Sequence, residues 1–215
     1  MAYITDSSDE GRTGLIVVDI ATGDAWRHLD IHPSTRPDEN AVFSFKGQSV
    51  YAISADNKGF WTTGVDGIAL SEDGEWVYYT TMTSRKLWRV PTEKLLVKPS
   101  TNEPNAKHDA DSSVEYLGEK GSCSDGLETD SNGLIYLGAA EQDGIQTFDP
   151  STKTFNDLVY NHRITWPDGL SIASNKLYFV DNQFYMQDRF WNNTDKTVKP
   201  FALYSIDIDG TSAHI

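Results

Sequence analysis

A chain of 215 residues with 32 acidic and 18 basic side chains has a formal net charge of -14, so its average surface repels phosphate backbones and anionic headgroups. Neither nucleic acid nor a membrane surface is expected as a partner, and no window approaches the roughly 18 uninterrupted apolar residues that a spanning helix needs. Cys123 is the single cysteine, which excludes an intrachain disulfide, and the length suits one domain.

The chain opens without a charged and apolar leader and passes directly into an aromatic strand, MAYITDS. A second strand pair follows in GLIVVDIATGDAW. From Val65 the run VDGIALSEDGEWVYYT gives a polar residue, Asp-Gly, a short apolar strand, a turn and an aromatic strand. KLWRVPTEKL supplies the next strand, and Thr92 to Val97 can hold a turn of helix. Pro99 to Ser113 is polar and is expected to be an exposed loop. The Asp-Gly pattern returns as SDGLETDSNGLIYLGA from Ser124, with GIQTFDPSTKTF after it, and again as PDGLSIASNKLYFVDN from Pro167. A polar insertion from Gln187 to Lys199 separates that copy from its last strand, ALYSIDIDGTSA.

Four units of about four short antiparallel strands are therefore expected, the first lacking its Asp-Gly strand. This is the content of propeller blades, so the fold class is an all-β β-propeller and residues 1–215 form one propeller domain.

Taken together, AYITDSS, GLIVVDIATGDAWRHL, GVDGIALSEDGEWVYYTTMTSRKLWRVPTEKL, KGSCSDGLETDSNGLIYLGAAEQDGI and WPDGLSIASNKLYFVDNQ resemble the microbial and fungal branch of the yellow / major royal jelly proteins over nearly the whole chain. The resemblance implies a six-bladed propeller and a secreted, extracellular protein, although no signal peptide is present in this chain. It also implies a small molecule, such as a biogenic amine or a sterol, held in or near the central channel; some insect members convert dopachrome. Against the family pattern the chain matches the later blades, so about two N-terminal blades are expected to be missing. The open blade edges, at Met1 to Asp6 and at an outer strand near Thr211 to Ile215, would favour self-association.

In such blades the Asp-Gly strand is innermost, which makes Asp66, Asp125 and Asp168 converge at one mouth of the ring. Three neighbouring carboxylates raise one another's pKa unless a cation or hydrogen-bond donors offset them, and Ca²⁺ or another divalent cation would suit their oxygens. Gluconolactonase-like propellers hold such a metal at comparable positions, as the resemblance implies. The simpler alternative is that each Asp accepts backbone amides in its own turn. Glu128, Trp166 and Gln183 lie beside these motifs and are expected to line the same mouth, and Asn182 joins them by the family resemblance.

His28, His32, His108, His162 and His214 show no metal-ligand spacing, and no nucleophile elbow or phosphate loop occurs. Asn192-Asn193-Thr194 is an N-glycosylation acceptor pattern. The function expected first is a secreted propeller that binds a small molecule at its central channel. The alternative is an enzyme, either a metal-dependent lactone hydrolase or a dopachrome-converting type.

Overall fold

The alternating apolar runs fold as antiparallel strands in a computed structural model that describes residues 1–7, 12–53 and 58–214. The first sheet joins β1 (Ala2–Asp6), β2 (Gly14–Val18) and β3 (Ala25–His28) in that order. A segment of two short hairpins follows, β4 (Ser44–Phe45) with β5 (Gln48–Ser49) and β6 (Tyr51–Ile53) with β7 (Lys58–Phe60). The second sheet is built from β8 (Val65–Leu70), β9 (Trp76–Thr81), β10 (Lys86–Pro91) and β11 (Glu115–Glu119). The third contains β12 (Leu127–Thr129), β13 (Ile135–Ala139), β14 (Gly144–Asp149) and β15 (Thr154–Tyr160), and the fourth β16 (Pro167–Ala173), β17 (Lys176–Asp181) and β18 (Ala202–Asp207). Each sheet is an up-and-down antiparallel meander, the arrangement of a propeller blade.

Blades pack through one apolar layer per interface, because the period of two along each strand gives both faces of the sheet an apolar row. Leu15 and Val17 of the first sheet meet Val65, Val77 and Tyr79 of the second. Tyr78 and Leu87 meet Leu127, Leu137 and Phe148, and Tyr136 and Ile145 meet Ile172, Leu177 and Phe179. These side chains are essentially excluded from water, and burying each stabilises the fold by about 1.5–3 kcal/mol.

Among the described residues the sheets have three, four, four and three strands, so the first sheet lacks one strand as expected and the last alone falls short of its expected four. The described end of the chain does not add an outer strand to the last sheet. Instead Ser212 bridges to Asp130, and Ser131 N–H donates to Thr211 O at 2.8 Å, so the segment turns back across the third blade.

The stretch expected to be a loop between Pro99 and Ser113 contains α2 (Ala106–Ser112), which follows the short α1 (Thr92–Leu95). Ala106 and Ala110, four residues apart, are the buried face of α2. Two small side chains in a polar run make a weak pattern, yet they let the helix lie close to α1 and β3.

Candidate functional site

In each Asp-Gly copy the glycine has a steric reason. β12 lies between β8 and β16, and the three inner strands approach backbone to backbone at the motif. A Cβ on Gly67 would sit 2.3 Å from Asp125 O, and one on Gly126 would sit 2.7 Å from Leu170 Cδ1. The pairing register also shifts between Val65 and Ile68 and between Asp168 and Ser171, so β8 and β16 bulge at their motifs. A bulge re-aims the side chain that it carries.

The outcome is a coupled set of carboxyls. Asp125, just before β12, is buried, while Asp66 and Asp168 are half-buried. Burial first, then the neighbouring carboxyls of Asp168 and Asp66, push Asp125 up to about 8, against the opposing effect of hydrogen bonds from Trp166 and Asn182. Trp166 Nε1–H donates to Asp125 Oδ2 at 2.7 Å, and Asn182 Nδ2–H donates to Asp168 Oδ2 at 3.0 Å. Asp168 Oδ1 also accepts the Gly169 amide at 2.6 Å, so the turn-stabilising alternative describes part of its role. For Asp125 the hydrogen bond found is to an indole from the next blade.

Trp166 is only 1% exposed and belongs to an aromatic layer that covers Asp125. Its ring meets Trp61 at 6.0 Å, Phe184 at 5.1 Å and Phe45 at 6.4 Å between centroids. Asp181 orients it: the Asp181 carboxylate accepts the Trp166 amide at 2.8 Å, the Thr165 amide at 3.0 Å and the Thr165 hydroxyl at 2.6 Å. Asp181 is not among the residues that the repeat marks; the structure places it at the end of β17, opposite Pro167 in the register.

Two segments outside the repeat roof this mouth. One is the hairpin segment of β4 to β7, which contributes Phe43, Phe45 and Val50 and ends at Trp61. The other is the insertion after β17, where short 3₁₀ turns at Phe184–Met186 and Asp188–Phe190 bury Tyr185 and Phe190. That insertion is less polar in effect than its composition suggests. Gln183 anchors it, donating from Nε2 to Val198 O and accepting the Val198 amide, both at 2.8 Å, so Gln183 clamps the roof.

Between the roof and the inner strands lies a cleft of about 590 Å³, within the range of small-molecule sites. Asp66, Asp6, Thr5 and Thr63 give it polar groups, Trp61, Phe184 and Met82 apolar ones, and Arg189 a cation. The Arg189 guanidinium stacks 4.4 Å from the Phe184 centroid, and Asp6 is also ion-paired to Arg27 at 2.6 Å. Trp61, Phe184 and Arg189 were not singled out from sequence, because no repeat marks them.

The structure thus brings Asp66, Asp125, Trp166, Asp168 and Asn182 together. Glu128 stands apart: its Oε1 accepts the adjacent Thr129 amide at 2.9 Å, and its carboxyl is influenced by His214. His214 lies against Leu70 O, at the end of β8 away from Asp66. Burial raises the Glu128 pKa, partly offset by the Thr129 amide and by His214.

The donor set does not fit a divalent metal centre. Among the described residues no three His, Cys, Asp or Glu side chains are gathered to hold an ion. Asp66 and Asp168 each lie close enough to act on Asp125, but oxygens of Asp125 and Asp168 are taken by indole and amide N–H donors.

A family model described as major royal jelly protein matches residues 1–207. No curated protein sequence matches the chain. Among solved structures the chain is similar to a nidogen/laminin complex, with 13% identity, a TM-score of 0.55, and coverage of 98% of this chain and 59% of that one. It is similar to luciferin-regenerating enzyme, with 12% identity, a TM-score of 0.53, and coverage of 97% and 61%. TolB from Acinetobacter baumannii gives 10% identity, a TM-score of 0.51, and coverage of 97% and 39%. At these identities the likeness concerns the β-propeller fold alone. The chain spans about three fifths of the first two structures.

Proposed function

The chain belongs to the major royal jelly protein family, and from that premise we propose that it is the ligand-binding part of a secreted propeller that takes a small aromatic metabolite bearing a cationic amine. The observation that carries the proposal is the Asp66, Asp125 and Asp168 set under an aromatic roof. Burial and two carboxyl neighbours hold a proton on Asp125 near neutral pH, and a cation beside Asp66 would relieve that repulsion. The Trp61 and Phe184 rings offer faces for an aromatic ligand, in a cleft large enough for one or two rings.

Binding of an amine should therefore release a proton from the site. Calorimetric titration with tyramine and with uncharged p-cresol, in buffers of different ionisation enthalpy at pH 7, tests this. The amine is expected to bind at least about 10-fold more tightly than the phenol, as a charge-assisted hydrogen bond of about 1.5–3 kcal/mol implies. Asp66→Asn should remove that preference. Equal binding of both probes, or none by either, would overturn the proposal. A heat signal with Ca²⁺ alone would point to an inorganic cation instead.

A further inference from the structure

We propose that Asn192 is an N-glycan acceptor whenever this chain passes through a eukaryotic secretory pathway, and that the glycan stands on the roof of the cleft. The sequence contains the Asn-x-Ser/Thr pattern once, at Asn192-Asn193-Thr194. Short patterns arise by chance, so the geometry has to decide whether this one suits an acceptor.

All three residues are exposed, and the Asn192 amide has no hydrogen-bond partner among the described residues. Asn192 and Asn193 both adopt left-handed backbone, with φ of 51° and 60°, a conformation that asparagine tolerates better than most residues. The turn is fixed by its backbone rather than by the acceptor side chain. The Asn193 amide donates to Asp188 O at 3.0 Å, and the Thr194 amide donates to Trp191 O at 3.1 Å. Trp191 Nε1–H donates to Tyr185 O at 2.7 Å, and Lys196 Nζ caps the Trp191 ring at 3.5 Å. A glycan added before folding therefore meets no buried surface when the turn forms. Asn192 belongs to the insertion that roofs the cleft, three residues after Arg189, which lines it.

The chemistry is transfer of an oligosaccharide from a lipid pyrophosphate donor of the secretory pathway. Asn192 Nδ2 forms the new bond to C1 of the first sugar, the C1–O bond breaks, its electron pair leaves with the lipid pyrophosphate, and Nδ2 gives up one proton. Thr194 supplies the hydroxyl that the acceptor pattern requires.

The test expresses the full chain behind a heterologous leader in yeast, purifies both retained and secreted pools, and measures intact mass before and after peptide-N-glycosidase. The expected result is a heterogeneous mass increase that the glycosidase removes, converting Asn192 to an aspartate in the mapped peptide. Asn192→Gln and Thr194→Ala should both abolish it, whereas Asn193→Gln and Thr194→Ser should retain it. Thr194→Ala changes one exposed side chain and leaves Asn192 in place, so misfolding cannot stand in for loss of the acceptor. An unmodified mass in both pools, or a glycan that survives Thr194→Ala, would overturn the proposal.

Discussion

Replacing Asp125 with asparagine should make the protein's stability less sensitive to pH, in a direction that the surroundings of the carboxyl dictate. In the unfolded chain an aspartate ionises near 3.8, whereas burial beside Asp168 and Asp66 moves folded Asp125 up to about 8. Between those values the folded state holds a proton that the unfolded state has lost, so stability falls as pH rises through the window. Each pH unit of displacement corresponds to about 1.4 kcal/mol, which sets a ceiling of about 6 kcal/mol by pH 8. That is comparable with the roughly 5–15 kcal/mol of net stability in a typical domain, so even a third of it is measurable. The Asp125→Asn side chain would keep an oxygen to accept the Trp166 indole but cannot ionise. Urea unfolding followed by tryptophan fluorescence at pH 5, 6, 7 and 8 is the assay. The variant should gain on the native protein by at least about 2 kcal/mol between pH 5 and 8. Parallel stability curves for the two would refute the coupled-carboxyl account of the mouth.

Gly67→Ala should destabilise the chain by about 2–4 kcal/mol in the same assay, because the new methyl would press on the Asp125 carbonyl oxygen at 2.3 Å and the blades would have to part. An effect below about 0.5 kcal/mol would mean that the inner strands are not in backbone contact. Asp181→Ala removes the acceptor for two amides and a hydroxyl around Trp166 and should cost about 2–4 kcal/mol with a red-shifted fluorescence spectrum; an unchanged spectrum would count against its orienting role. Lys120 is buried with its Nζ donating to Ser84 O and Ser122 O, and burial brings its pKa down to about 7. The unfolded lysine stays protonated to about 10.5, so stability from this group should rise with pH between 7 and 10, opposite in sign to Asp125. Lys120→Met should lack that rise, and a native-like pH slope in the variant would sink the reading.

The blades were legible because three Asp-Gly copies and their aromatic second strands repeat in order, and repetition separates a pattern from chance. The same repetition pointed to Asp66, Asp125 and Asp168 as neighbours. Glu128 was drawn in by closeness in sequence, but along a strand three residues carry a side chain roughly 10 Å from the motif. α2 escaped notice because its buried face is two alanines among polar residues. Trp61, Phe184 and Arg189 were invisible for another reason: they reach the cleft from insertions that belong to no copy of the repeat.

That division of labour between repeat and insertion has a consequence for how recognition can change. The carboxyls ride on strands that touch through their main chains, so the gaps between them are set by backbone packing, like the fixed jaws of a caliper. Altering them would mean rebuilding the frame. The roof segments bring their rings and guanidinium from outside that frame, and their substitution leaves the jaws where they are. Relatives with the same acidic mouth are thus expected to diverge in the shape of what they accept while retaining its charge.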